Sequence, residues 1–329
     1  MSAKRNKPKI AIAGAGMTGA YLYRLLFNRG QESDVFDIEH STKCGLSPCA
    51  WGTSRGFTSL VEDAGLDPQK YILRRLDHVL IDEVKINAEL MTFDKPGLVK
   101  DLLKGAEIKY SPLDVKRYDR IIDATGVSRA FLPPIKDDII LECIQCRVKK
   151  DKLLTNQIKL GSIGYGWCFP LSGKGYHIGC GSLVADPRGR LEELGWLGNT
   201  RSESSKKVVC ECTGKVRLTA PKYSQPFVAD GVWGTGEAIG CVAPLAGDGV
   251  VPGMKSVQIL FNKWDDPGGY TRAILREFHW MKNERKVIDK LRKKEHLGSQ
   301  EAWVLKKNSK RMGMQVGFKE AAMLIKNLR

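Results

Sequence analysis

The 329-residue sequence has no uninterrupted apolar run approaching the about 18 residues that cross a bilayer. Its opening, MSAKRNKPKI, lacks the apolar core of a secretory signal. A cytoplasmic location is the expectation, and with it nine cysteines held mostly as thiols. Histidine is scarce. The five present (His40, His78, His177, His279, His296) show no ligand spacing and no triad pattern with a nucleophile. Cys143 and Cys146 form a CxxC without a second pair, and strand positions three apart face opposite ways. Cys210 and Cys212 would share a face but have no histidine nearby. No metal site is expected. Zinc-finger and RNP1-like motifs, internal repeats and low-complexity tracts are also missing, so nucleic acid is not an expected partner. Acidic residues are in deficit: the net charge is +16, and from Met281 onward fourteen Lys/Arg face five Asp/Glu. Such a basic end suits a solvated helical surface, an anionic membrane face or an acidic protein partner.

What is present is an alternation of strands and helices. KPKIAIAGAG reads as a buried strand, MTGAYLYRLLFNRG as a helix ending at Gly30, and SDVFDIE as the next strand. Alternating apolar residues from Tyr71 to Phe93 predict two strands. DKPGLVKDLLKG predicts a helix stopped by Gly105, and YDRIIDATG another buried strand. Residues 137–183 read as all strand, and a helix is expected from Val250 to about Phe261. The fold class expected is α/β: a Rossmann-type nucleotide-binding domain (1–66, 94–135 and 225–262) interleaved with a largely antiparallel sheet domain (67–93 and 136–224). A basic helical region, 263–329, follows.

Gly14-Ala15-Gly16-Met17-Thr18-Gly19 is a GxGxxG between a strand and a helix. The first glycine permits a tight turn, the second lets backbone approach a pyrophosphate, and the third lets the helix pack on the strand. The helix N-terminus supplies unpaired N–H groups and a positive dipole end for the anion. An acidic residue about twenty positions on should accept ribose hydroxyls, and both Asp37 and Glu39 qualify. No second such fingerprint exists for a separate NADPH domain.

Two further segments select FAD. Ala124-Thr125-Gly126, after a buried strand, resembles the second FAD fingerprint of glutathione-reductase-like and hydroxylase-like flavoproteins. GVWGTGEAIGCVAPLAGDGVVPGM resembles their third. The resemblance implies that Gly236 and Glu237 stand where an Asp after Gly accepts a ribityl hydroxyl. Gly247-Asp248-Gly249, with Val250 and Val251, opens a helix whose dipole would favour negative charge on the flavin pyrimidine.

Along GYGWCFP, Tyr165, Trp167 and Phe169 fall two apart, so all three rings share one strand face, ended by Pro170. Eight residues or so later come Gly179-Cys180-Gly181. With KCGLSPCAWG and PLAGDGVVPGM, these segments resemble the geranylgeranyl reductase family over roughly residues 8–262. That likeness implies an FAD enzyme that hydrogenates isolated double bonds of a polyprenyl chain held in an apolar tunnel. Cys44, followed by Gly45, matches the family's cysteine beside the flavin. The stretch between Lys109 and the ATG turn is shorter than the family's.

An isolated alkene has no carbonyl to receive negative charge, so protonation would lead and cationic character would build on the more substituted carbon. Ring faces favour a nearby cation by ~0.5–2 kcal/mol. Tyr165, Trp167 and Phe169 would supply those faces, and Gly179 and Gly181 would leave room for the chain. Cys44 and Tyr165 are both candidates for the proton donor. The electron donor expected is NAD(P)H or a ferredoxin-like acidic protein. The alternatives are a flavin hydroxylase of the same superfamily and a non-catalytic FAD-binding redox protein.

Overall fold

The computed structural model describes residues 8–40, 49–149, 155–161, 163–196 and 208–328. Strand β1 (Ile10–Ala13) leads through a glycine turn to α1 (Met17–Asn28) and then to β2 (Asp34–Phe36). The short β3 (Gly52–Thr53) and α2 (Phe57–Asp63) precede a long hairpin, β4 (Ile72–Ile81) and β5 (Val84–Phe93). Next come α3 (Lys95–Leu102), β6 (Ile108–Lys109) and β7 (Arg120–Asp123). A run of strands follows: β8 (Ile140–Val148), β9 (Gln157–Leu160), β10 (Gly164–Pro170) and β11 (Tyr176–Ser182). Then come α4 (Pro187–Glu193), β12 (Val208–Arg217), β13 (Val228–Ala229), β14 (Val232–Gly234) and α5 (Val250–Asn262). The chain closes with α6 (Pro267–Glu277), α7 (Met281–Arg292), α8 (Ser299–Ser309), β15 (Met314–Gln315) and α9 (Phe318–Asn327).

The first sheet has the order β13-β14-β7-β1-β2-β6, parallel except where β13 meets β14. β1 is central and fully buried, as expected of the uninterrupted apolar run IAIA. Strand order reverses on either side of it, which puts a crevice at the carboxyl ends of the strands. Helix α1 packs against both α3 and α5 over this sheet.

The second sheet runs β12-β8-β11-β10-β9-β4-β5-β15, with β3 also pairing β5. It is antiparallel except between β4 and β9. Its register puts Tyr165 opposite Gly181 and Gly181 opposite Cys143. Trp167 lies opposite Gly179 and that glycine opposite Gln145; Phe169, His177 and Arg147 form the next row. Alternation sends Cys146, Cys168 and Ile178 to the other face, where α4 and Trp196 cover them.

The basic C-terminal region does not project from this body. It was expected to be helical, yet it also contains β15, whose Met314 pairs with Ala88 of β5. Val287, Ile288 and Leu291 of α7 and Leu324 and Ile325 of α9 share one core with Val79, Ile81, Ile86 and Leu141 of the second sheet. The helices turn an apolar stripe inward and their lysines outward. They therefore roof the sheet face that carries the aromatic row. Among the described residues no helix is long and apolar enough to cross a membrane.

Candidate cofactor and substrate site

The glycine turn after β1 is fixed by close approaches. Gly14 has φ +104°, and a Cβ there would lie 2.4 Å from the Ala124 carbonyl oxygen. A Cβ on Gly19 would fall 1.8 Å from the Gly14 carbonyl oxygen, so only glycine lets α1 pack this close to the strand. Gly16 is the exception. It caps α1 without a side-chain hydrogen bond, and a Cβ there would meet nothing within 4 Å. Open space thus faces a helix N-terminus, the arrangement that accepts a phosphate. Met17 is buried beneath the turn, while Thr18 Oγ1 would lie 2.7 Å from a Cβ on either Gly236 or Gly253. Asp37 directly follows β2, its amide donating to the Lys109 carbonyl at 3.0 Å and its Oδ2 lying 3.4 Å from His40 Nε2. Glu39 is exposed.

The second turn, Ala124-Thr125-Gly126, is shaped by a residue the sequence reading passed over. Asp123 is fully buried; its Oδ1 accepts from the Thr125 amide and hydroxyl, and its Oδ2 from the amides of Phe131 and Leu132. Arg217, the last residue of β12, was also missed. Its guanidinium donates to the carbonyls of Gly126 (3.2 Å), Val127 (2.7 Å) and Glu237 (2.8 Å) and pairs with Asp138 at 3.0 Å. Glu237 does not present its whole carboxylate to a ligand: Oε1 accepts the Arg217 backbone amide at 2.7 Å, and Oε2 sits against Gly126. No local motif announces Asp123 or Arg217, because their partners come together only in the folded chain.

The third turn runs into α5. Gly247 has φ +62°, and the Ala243 amide donates to the Asp248 carbonyl at 2.9 Å. Asp248 Oδ2 accepts from Ser54 Oγ (2.6 Å) and Oδ1 from the Val250 amide (3.2 Å), yet burial pushes its carboxyl up. Gly249 caps α5, and Val251 lies 3.7 Å from where a Cβ on Gly56 would stand. From α7, Glu284 Oε2 accepts the Leu245 amide at 3.1 Å.

The three aromatic residues part company here. Tyr165 donates its hydroxyl to the Ala246 carbonyl and lies 3.0 Å from a Cβ position on Gly247. Burial pushes its phenol well up, so the proton stays on. Trp167, 8% exposed, packs edge-on to Tyr165 with ring centroids 5.9 Å apart. Phe169 lies against Gly52, and the Pro170 carbonyl accepts from Thr92 Oγ1 at 2.7 Å.

The glycines opposite do not leave the passage expected of them. A Cβ on Gly179 would lie 2.1 Å from Trp167 Cζ2, and one on Gly181 would lie 2.7 Å from Leu141 Cδ2 and 2.8 Å from Cys143 Sγ. Side chains of the protein itself fill the space that each missing Cβ leaves. Segment 49–51 crosses above this row: the Cys49 carbonyl accepts from Gln145 Nε2 (2.8 Å), and the Trp51 ring meets His177 at 4.6 Å. Trp167 Nε1 and Gln145 Oε1 are buried without hydrogen-bond partners. Cys44 and Gly45 lie outside the described residues. The Cys143 thiol is pushed up to about 12 by burial and is no nucleophile. A groove of about 390 Å³, its walls mixing charged Arg55, Arg75, Asp77 and Glu89 with apolar Leu76, Leu90 and Met91, opens one residue from Ser54.

Comparison with known proteins bears on the fold. No family model matches. An uncharacterized protein of Methanocaldococcus jannaschii is 24% identical over 87% of this chain and 90% of its own. Among solved structures, a geranylgeranyl bacteriochlorophyll reductase-like protein from Thermoplasma acidophilum superposes with TM-score 0.68 at 18% identity, covering 86% of this chain and 87% of that one. A flavoprotein/dehydrogenase from Cytophaga hutchinsonii gives 0.65 at 14% over 98% and 92%. The probable FAD-dependent monooxygenase pqsL from Pseudomonas aeruginosa gives 0.63 at 15% over 91% and 100%. With its parallel sheet, its three glycine turns at the carboxyl ends of the strands and its second, antiparallel sheet, the chain has the Rossmann-type flavoprotein fold.

Proposed function

We propose that the chain binds FAD and acts as a flavin oxidoreductase that saturates isolated C=C bonds of a geranylgeranyl or longer polyprenyl chain. The open space at Gly16 would take the pyrophosphate, and Asp37 at the end of β2 the ribose. Residues 124–126 and 236–237 would follow the ribityl chain, and 247–251 would abut the ring. Bound there, FAD supplies the hydride. The protein must supply a dry cleft, a ring face and a proton. Tyr165 is our assignment for the proton: its phenol carries one in the resting protein, and delivering it to the alkene would break the bond to the Ala246 carbonyl. Cys44 is the other donor we propose. The groove beside Ser54, with Leu76, Leu90 and Met91 on its wall, would receive the hydrocarbon. We assign the basic surface of the C-terminal helices to an anionic membrane carrying the substrate, or to an acidic electron donor in place of NAD(P)H.

The observation that carries this reading is the Tyr165–Ala246 bond, which joins the aromatic strand of one sheet to the glycine-rich loop of the other. The test is direct. Purified protein loaded with FAD and reduced anaerobically by dithionite should be reoxidised by a geranylgeranyl lipid, and Tyr165→Phe should slow that step by roughly 100-fold. Reduced protein that no polyprenyl substrate reoxidises would overturn the reading.

One observation favours a second reading. Trp167 Nε1, a donor, and Gln145 Oε1, an acceptor, stand unpaired in one cross-strand row and would pair with a polar substrate. A monooxygenase acting on a polar aromatic compound would use them. Oxygen-dependent NADPH consumption stimulated by such a compound supports that reading, and indifference to it excludes it.

A further inference from the structure

Glu284 sits in the first turn of α7 and is fully buried, 0% exposed. Its Oε2 accepts the Leu245 amide, and its Oε1 has no partner. The Asn308 side chain from α8 lies beside the carboxyl and favours its ionised form, although neither Glu284 Oε1 nor Asn308 Nδ2 completes a well-formed hydrogen bond. Tyr165 holds the Ala246 carbonyl on the same short loop. A fully buried carboxyl and a half-buried phenol therefore grip consecutive residues of the loop that opens α5.

The electrostatics around Glu284 lack a countercharge. From the α5 loop it is faced by Asp248, and from α8 by the uncharged Asn308. Its neighbour Arg285 is turned away to Asp289, Thr219 and the Asp137 carbonyl, and Glu301 of α8 is paired with Lys290. A carboxylate buried with one oxygen unpaired is costly, so the acid form is favoured. Burial pushes the group up to about 7, with Asp248 adding to the shift and the Leu245 amide and Asn308 opposing it.

We infer that Glu284 takes up a proton when the ligand across loop 245–249 gains negative charge, so that the protein and not the solvent compensates that charge. The inference rests on the flavin reading. FAD held at residues 247–251 would, on two-electron reduction by dithionite, take up one proton at the ring and leave one negative charge facing the loop. The α5 N-terminus favours that charge, and an ionised Glu284 beneath the loop opposes it. Protonation at the unpaired Oε1 removes the opposition. Glu284 acts through the loop and is a positioning residue.

The test is the pH dependence of the flavin midpoint potential, read from visible absorbance during anaerobic dye-coupled titration. Between pH 7 and 8.5 the wild-type slope should correspond to about two protons per two electrons, and Glu284→Gln should halve it to about one. Below pH 6 the two slopes should coincide. Equal slopes above pH 7 overturn this inference alone. A wild-type protein that takes up no FAD overturns the flavin reading, and this inference with it. Should Glu284→Gln not fold, Asn308→Ala carries the test: losing the amide should move the onset of the steep region to higher pH, and an unmoved onset overturns the inference.

Discussion

At Gly19 one added methyl carbon would collide with the Gly14 carbonyl, an atom of the backbone that cannot rotate away. Gly19→Ala should therefore cost about 1–3 kcal/mol of stability and leave the purified protein without bound flavin, checked by urea unfolding and by absorbance. This residue's part was legible in the sequence because the constraint is local: a strand, a turn and a helix within ten residues. Gly179 and Gly181 were legible only as missing side chains. Which neighbours enter the space is decided across strands, and Trp167, Leu141 and Cys143 do so. His177 gives a pH prediction at the same scale. Burial lowers its proton affinity to about 4 from an ordinary 6.5, against the help of the Ala50 carbonyl. The unfolded chain then binds the proton first, so stability is full above pH 6.5 and is lost as pH falls toward 4, by roughly 3 kcal/mol. The urea midpoint followed from pH 7 to 4 should fall in wild type and fall less in His177→Gln.

The elements were read well where one period dominates and poorly where composition hides it. Helix α1, the β4–β5 hairpin and α5 match the apolar spacing of their segments. In α7 only Met281, Val287, Ile288 and Leu291 are apolar among mostly charged residues, and the helix read as a basic outer surface, solvated or facing a membrane or an acidic partner. It is a roof. Leu291→Ala should cost about 2–4 kcal/mol, whereas Lys293→Ala, on the exposed side, should leave the thermal midpoint unchanged. Strand β15 is two residues long and carries no period, so only its pairing with β5 reveals it. Alternation puts the three rings on one strand face, and they were read as one surface. They have three partners: the Ala246 carbonyl, Gly179 and Gly52.

Over the whole molecule, the two sheets meet at Arg217, 3% exposed and bonded to both FAD-fingerprint turns. Arg217→Met strands the carbonyls of Gly126, Val127 and Glu237 and the Asp138 carboxylate. It should cost about 3–5 kcal/mol and weaken flavin retention, read as a lower thermal midpoint and a raised FAD dissociation constant. Arg129 repeats the device, donating to the carbonyls of Pro133, Pro226 and Ala238. Neither arginine belongs to a motif, which is why the fingerprints were legible and the joint between them was not. The joint also limits how anything reaches the interior. Swinging the halves apart like a jaw would strip a buried cation of three carbonyl acceptors at once, leaving it only the Asp138 carboxylate, so this seam is a hinge that stays shut.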